Sequence, residues 1–397
     1  MMLRIGLGLL MCLSVCSCVA VQPTSPTIEP RTDVPPSQTA TPLSSATLSP
    51  TPATPHTATP AATAQAPLSP DGPWAIILNQ DGIWAVNEDG SGLTHLTQDV
   101  VPHRAISVAG RWIAYVTDAQ ADPNTEGSGL LLRVLSLPEG IAQTVTQLQI
   151  PDVTSDSSDD LQFAAQQVYR AVVFQDGGLA WSPDGGRLAF VSGHDGTSAD
   201  VYVYARDTGG IVRLTDGPGH AYQLSWSPDG RYIFHTGASN FGSGAGHTMA
   251  GVWAARADGA GIQSLYQPDP RSGAEEFVDW VSTGTVLVHS WRPDCGKVNL
   301  VTANVVSGDV QIVWADYFNR AAYNPATDTI LIDAYDIDCN PADVSGFYRV
   351  EPGGAEREQI SGEEYDAQLP ELPPDPVPLR QHVETVLPVE SVLWVQP

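Results

Sequence analysis

The sequence predicts an all-β protein: a six-bladed β-propeller of four-stranded blades, preceded by a disordered Pro/Thr-rich linker. Short apolar segments recur behind a repeated turn motif at spacings of about 40 to 75 residues. Gly and Pro are frequent, at 36 and 33 of 397 residues, and no long helical periodicity runs through the chain. Repeats of this size built from short strands are typical of propellers, with one four-stranded sheet for each repeat.

Composition narrows the classes of partner. The formal net charge is −27, from 45 acidic and 18 basic residues. This excludes nucleic acid as an expected partner, because binding a phosphate backbone requires clustered Lys and Arg. It also excludes electrostatic adhesion to anionic lipid. Hydrophobic residues make up 42% of the chain, which is enough for a core.

Residues 1–17 are predicted to be a signal peptide of the lipoprotein type. Arg4 precedes the apolar run Ile5–Val15, which is too short to span a membrane. The sequence Val15-Cys16-Ser17-Cys18 resembles a bacterial lipobox, and this resemblance implies that Cys18 is lipidated. An ordinary cleaved signal and an uncleaved anchor are the alternatives. We therefore expect an extracytoplasmic protein, lipid-anchored to a bacterial membrane at the cell surface or in the periplasm, with the lipid as its only membrane contact.

Residues 18–67 are predicted to form a disordered Pro/Thr/Ala-rich tether. The stretch Val19–Pro67 contains 11 Pro, 11 Thr, three charged residues and no Phe, Trp or Tyr. No core can form from that composition. Pro-rich chain extends by about 3.1 Å per residue, so the tether could reach on the order of 100 Å. It is either a stalk for the following domain or an unselected flexible spacer.

The propeller is predicted over residues 68–397 from a repeated motif. Trp181–Gly185 and Trp226–Gly230 both read Trp-Ser-Pro-Asp-Gly, and the apolar strands Arg187–Val191 and Arg231–Thr236 follow them. Pro favours the second position of a type I turn and Gly accepts the positive φ at its end. The weaker copies, each with its following strand, are Ser69–Gly72 with Trp74–Leu78, Ser107–Arg111 with Trp112–Val116, Trp280–Gly284 with Thr285–His289, and Tyr323–Thr327 with Thr329–Ile332.

These motifs resemble the TolB-type propeller family (WD40-like repeats) over about Ser69 to Pro397. The resemblance implies a six-bladed propeller that binds partners outside the cytoplasm. Related propellers cap prolyl-oligopeptidase-like hydrolases or form polysaccharide lyases. The chain has no Gly-x-Ser-x-Gly nucleophile motif, and the repeats occupy the sequence where a hydrolase domain would lie. We therefore predict that it is not an enzyme and needs no cofactor.

The favoured function is a membrane-tethered, monomeric propeller that binds a protein, peptide or glycan without catalysis. One alternative is a metal-dependent, lyase-like carbohydrate-active enzyme that uses a His-bearing propeller face. A second alternative is a structural surface protein. Loops and connections between blades share one face, and the glycine-rich loop Gly237–Gly251 lies among them. The candidate ligand contacts on this face are His194, His220, Tyr222, Phe241, His247 and Trp291.

Two further sets of residues are weak candidates for metal ligands. His235 and His289 both follow the repeat aromatic by nine residues, where Tyr115 and Phe190 stand in other blades. Neutral imidazoles could bind a metal there, but core histidines are the better interpretation, so no metal is expected. Four acidic residues, Asp333, Asp336, Asp338 and Asp343, suggest either a calcium loop or a solvated loop; the tight Gly turn of a calcium loop is missing.

Three structural features complete the predictions. Cys295 and Cys339 fall in equivalent loops of neighbouring blades, so they are predicted to form a disulfide. The extra chain Leu148–Gly178 is predicted to contain a short amphipathic helix laid on the propeller. The C-terminal segment Val392–Val395 is predicted to be the innermost strand of blade one, beside Trp74–Leu78, after a long connection over Ser361–Glu390.

Overall fold

The computed structural model describes residues 68–395, apart from 102–104, 119–128, 152–168, 171, 174–176, 218, 239–248, 267–273, 292–298, 336–344 and 370–390. Several predictions therefore lie outside the described residues. These are the signal peptide, Cys18, the tether, most of the helix in the 148–178 insertion, Phe241, His247, Cys295, Cys339, Asp336, Asp338 and Asp343.

The described strands form six antiparallel sheets of four strands each, so the predicted fold class is confirmed. Blade one contains β1 Trp74–Asn79, β2 Gly82–Asn87 and β3 Thr94–Thr97. Blade two is β4 Ile106–Ala109, β5 Trp112–Asp118, β6 Leu130–Ser136 and β7 Ile141–Gln147. Blade three is β8 Leu179–Trp181, β9 Arg187–Ser192, β10 Asp200–Ala205 and β11 Ile211–Arg213.

Blade four is β12 His220–Trp226, β13 Tyr232–Ala238, β14 Met249–Arg256 and β15 Ile262–Tyr266. Blade five is β16 Ala274–Ser282, β17 Thr285–Trp291, β18 Asn299–Asn304 and β19 Val310–Trp314. Blade six is β20 Phe318–Asn324, β21 Thr329–Ala334, β22 Gly346–Val350 and β23 Arg357–Ile360. A helix, α1 Gly362–Gln368, follows, and the last strand is β24 Ser391–Val395.

Blade one takes its innermost strand from the end of the chain. β24 pairs antiparallel with β1, with Leu393 opposite Ile76 and Val395 opposite Trp74. Leu393 also packs against the buried core that blades one to four share. Because β24 covers β1, the ring has no open inner edge at this blade.

The Ser-Pro-Asp-Gly turns form as their residue types require. In blade three, the Gly185 amide donates to the Ser182 carbonyl at 2.8 Å, and Gly185 has a φ of +63°. The Ser182 hydroxyl donates to Asp184 at 2.6 Å, and this bond lowers the pKa of the Asp184 carboxyl. The repeat tryptophan ties neighbouring blades together, since the Trp226 indole donates to the Ala180 carbonyl of blade three at 2.8 Å.

The part of the insertion that the structure describes joins three blades. The Tyr169 hydroxyl donates to the Val191 carbonyl in blade three, and Arg170 pairs with Asp118 in blade two. Val172 packs with Tyr222 and Ala238 of blade four. Among the described helices, none is long and apolar enough to cross a membrane.

Candidate functional site

Each blade carries a cross-strand row of side chains that faces the preceding blade. A row takes one residue from each of the second, third and fourth strands, and these residues lie directly opposite one another. The rows are Ile77–Trp84–His95 in blade one, Tyr115–Arg133–Thr144 in blade two, Phe190–Tyr202–Arg213 in blade three and His235–Trp253–Ser264 in blade four.

Side chains of the blade-two row fill the junction between blades one and two. The Tyr115 hydroxyl donates to Asp99 of blade one at 2.6 Å, and Arg133 pairs with the same carboxylate. Burial raises the pKa of Tyr115 far above its usual value, which keeps the phenol protonated as a donor. The polar ends of this row are therefore already bound to the neighbouring blade.

The junction of blades three and four instead holds a cavity of about 160 Å³. Blade three contributes Asp200 and Thr215, the connection to blade four contributes Gly217, and the start of β12 contributes His220. Blade four contributes His235 and Trp253. Two elements thus supply polar groups at one wall, while the opposite wall consists of aromatic rings.

The polar wall is saturated by its own hydrogen bonds. Asp200 is 1% exposed and accepts four bonds, from the Ser198 and Thr215 hydroxyls, the Gly217 amide and the Arg213 guanidinium, at 2.7 to 3.1 Å. Thr215 also accepts from the Val201 amide at 3.0 Å. A buried carboxylate needs such partners to remain ionised without a large desolvation cost. Asp200 therefore fixes the connection and has no free lone pair directed at the cavity.

The aromatic wall depends on a close approach to glycine. The rings of His235 and Trp253 are nearly parallel, 11° apart with centroids 5.8 Å apart. The six-membered ring of Trp253 lies against Gly237, where a Cβ atom would come within 2.3 Å of Cζ3. Any larger residue at 237 would displace the ring, so this glycine is needed for packing rather than for backbone freedom.

The His235 ring is neutral at neutral pH. Neither ring nitrogen of His235 has a hydrogen-bond partner in the described part of the chain. Burial lowers the pKa of His235 to about 4, and the charge of Asp200 opposes this shift only in part. The second histidine, His220, is held in place by the Ala199 amide, which donates to its Nδ1 at 3.0 Å.

The predicted contact residues do not all meet at this cavity. His220 lines it. The ring of His194 instead packs edge-on against Tyr202, with centroids 5.3 Å apart, and burial lowers its pKa. Tyr222 packs beneath the insertion with Val172. Trp291 lies at the end of β17. Asp333 lies in β21, where Asn319 donates to it at 3.3 Å.

His235 and His289 are not equivalent, and they lie on opposite faces of their blades. Trp226 pairs with Ile233, seven residues later, whereas Trp280 pairs with Val286, six residues later. This one-residue difference in the turn reverses which face a strand residue occupies. The His289 ring contacts Phe318 of blade six at 4.5 Å, so the two histidines do not share a site. Within the described residues, no group of three or more His, Cys, Asp or Glu could hold a metal.

Sequence reasoning missed three residues of the cavity: Trp253, Gly237 and Asp200. A signal for Trp253 is present, because Gly82-Ile-Trp-Ala85 in blade one and Gly251-Val-Trp-Ala254 in blade four are copies of one motif. Both motifs lie in the third strand of their blade and place the Trp in the facing row.

Comparisons with known proteins find a short match to a peptidase and several solved structures of similar fold. No family model matches the chain. A segment of 56 residues is 43% identical to the uncharacterized peptidase YuxL of Bacillus subtilis (strain 168), and it spans 14% of this chain and 8% of that protein.

Solved structures with similar folds have low sequence identity. TolB from Acinetobacter baumannii is 13% identical, with a TM-score of 0.36, over 72% of this chain and 64% of its own. An oligogalacturonate lyase from Vibrio parahaemolyticus is 11% identical, with a TM-score of 0.42, over 72% of this chain and 79% of its own. Dipeptidyl peptidase 4 from Porphyromonas gingivalis is 11% identical, with a TM-score of 0.46, over 74% of this chain and 46% of its own.

The prediction that the chain is not an enzyme is contradicted by the match to a peptidase. That prediction rested on a missing sequence motif and on the repeats, which occupy the sequence where a hydrolase domain would lie. Catalytic groups are recognised by their geometry, and unrelated folds build the same constellation from different sequence orders. The fold itself is established by its six four-stranded sheets. The chain is a six-bladed β-propeller.

Proposed function

We propose that this chain binds peptides at the cavity between blades three and four, as the recognition part of peptidase-type chemistry. The observation that carries the proposal is the aromatic wall of His235 and Trp253, which is left open at a junction whose equivalent in blades one and two is filled. Concave, mostly apolar sites with a few fixed polar groups are the usual form of ligand sites. The match to a peptidase supports peptide as the ligand class.

The charge of the chain favours a peptide over an acidic glycan. A net charge of −27 repels polyanions and attracts cationic partners at low salt. The saturated polar wall also offers few partners for the hydroxyl groups of a sugar. Both features favour an apolar side chain carried by a neutral or basic peptide.

The proposal includes a location. We propose that the propeller is held outside the cytoplasm by a lipid on Cys18, at the end of the tether Val19–Pro67. The lipobox-like sequence Val15–Cys18 and the composition of the tether support this location. The proposed disulfide between Cys295 and Cys339 suits the same oxidising compartment.

Truncation of Trp253 tests the binding site. We expect Trp253→Ala to weaken binding to an array of capped hexapeptides, varied at one central position, by about 10- to 100-fold, because buried tryptophans dominate binding energies. The matched control is Trp84→Ala, which removes a half-buried tryptophan from the same row position in blade one. Equal losses in both variants would show that the cavity is not the binding site. Cleavage of the bound peptides, followed by mass spectrometry, extends the test to peptidase activity.

A further inference from the structure

We infer that the group held in the cavity is a single neutral aromatic ring, the side chain of a phenylalanine- or tyrosine-type residue, stacked on Trp253. The inference rests on the proposed function and names the class of side chain that the site selects. Three independent observations carry it: an internal comparison with blade one, the size of the cavity, and the state of its polar groups.

Blade one contains the same tryptophan with a ring already stacked on it. Trp84 occupies the row position of Trp253, and His95 lies opposite it on the fourth strand. The rings of Trp84 and His95 are 4.2 Å apart and within 20° of parallel. In blade four, Ser264 stands at the place of His95. On the fourth-strand side the chain therefore supplies a flat ring to the tryptophan of blade one and none to Trp253, whose other neighbour in the row is His235.

The cavity has room for one ring. Its volume is about 160 Å³. An apolar cavity of about 150 Å³ in another protein binds benzene and stays free of water. The lining also includes Ile262 and Ala221, whose side chains offer only van der Waals contact. A phenyl or phenol side chain fits this space, whereas a disaccharide does not.

The polar groups of the cavity argue against a charged or hydroxyl-rich group. Asp200 and Thr215 use their oxygens in bonds to blade three and to the connection. Asp216 pairs with Arg213 at 2.8 Å. A guanidinium or ammonium group would have to compete for these carboxylates with Arg213, which pairs with both of them. A sugar ring would exchange its many bonds to water for few replacements, chiefly the ring nitrogens of His235, which disfavours its burial.

Small probes test the inference directly on the full chain. Binding of N-acetyl-phenylalanine amide is measured by calorimetry beside the leucine and arginine amides and methyl glucoside. We expect the aromatic amide to bind at least tenfold more tightly than the other three. We also expect Trp253→Ala to abolish its binding and Trp84→Ala to leave it unchanged. Tighter binding of the arginine amide or the glucoside, with the same dependence on Trp253, would overturn the aromatic inference and leave the cavity as the binding site.

A substitution that copies blade one provides a second test. We expect Ser264→His to reduce binding of the phenylalanine amide by at least tenfold, because an imidazole then stacks on Trp253 as His95 stacks on Trp84. Ser264→Ala should bind the probe as the native chain does. Undiminished binding in a folded Ser264→His variant would overturn the stacking geometry. If neither Trp253→Ala nor Ser264→His abolishes binding of the probe, the proposed function is overturned as well.

Discussion

Removal of residues 391–397 should destabilise the propeller by several kcal/mol and lower its urea midpoint. The truncation deletes β24, which forms the antiparallel ladder with β1 from Leu78 to Trp74. It also removes Leu393 from the shared core and exposes the buried residues Ile76 and Leu78 at a new inner edge. Burial of one large apolar side chain contributes roughly 1.5–3 kcal/mol, and the loss of Leu393 adds to the loss of the ladder.

Intrinsic tryptophan fluorescence during urea unfolding measures this effect. The full-length chain is the reference, and Leu393→Ala provides a milder variant that keeps the strand. We expect a graded loss, with the truncated chain less stable than Leu393→Ala and both less stable than the reference. An unchanged midpoint after truncation would show that β24 does not hold blade one in the ring.

His235 should make the propeller sensitive to acid. Its folded pKa of about 4 lies below its usual value of 6.5, so between these values the unfolded chain binds a proton that the folded chain excludes. Stability from this group is therefore complete above pH 6.5 and is lost as the pH falls towards 4. Lowering the pKa of His235 from 6.5 to about 4 corresponds to a loss of roughly 3 kcal/mol in the free energy of unfolding at acid pH.

His235→Phe should remove most of this acid sensitivity, because phenylalanine carries no titrating group and Phe190 occupies the equivalent position in blade three. Urea midpoints at pH 7 and pH 4.5 measure the difference. His95→Phe, on the fourth strand of blade one, is the matched control. If His235→Phe loses as much stability on acidification as the native chain, the acid sensitivity arises elsewhere.

The repeat motif made the fold predictable, because the turn it encodes is local. Trp-Ser-Pro-Asp-Gly fixes the link between two strands through its own hydrogen bonds, as the Ser182–Gly185 turn shows. Every later copy could be placed by aligning on it. Helix α1 was not predicted, although a signal was present. Ser361 caps it by accepting from the Glu364 amide at 3.1 Å, and Ser-x-x-Glu is a capping-box pattern.

The site was harder to predict, since it arises from packing between blades. Counting residues from the repeat aromatic made His235 and His289 look equivalent, but a turn shorter by one residue put them on opposite faces. The cavity depends on Gly237 admitting the Trp253 ring and on Asp200 holding the connection. Neither contact produces a periodic pattern in the sequence, because the residues that meet are far apart along the chain or belong to different strands.

Fluorine NMR of the full chain labelled with 5-fluorotryptophan tests the central claim most directly. The ten tryptophans give separate resonances, and Trp253→Phe and Trp84→Phe assign the two that matter. A capped peptide with one central phenylalanine is then titrated into the labelled chain. We expect a saturable shift of the Trp253 resonance and no shift of the Trp84 resonance. A saturable shift at Trp84 or another tryptophan, with Trp253 unmoved, would contradict that claim.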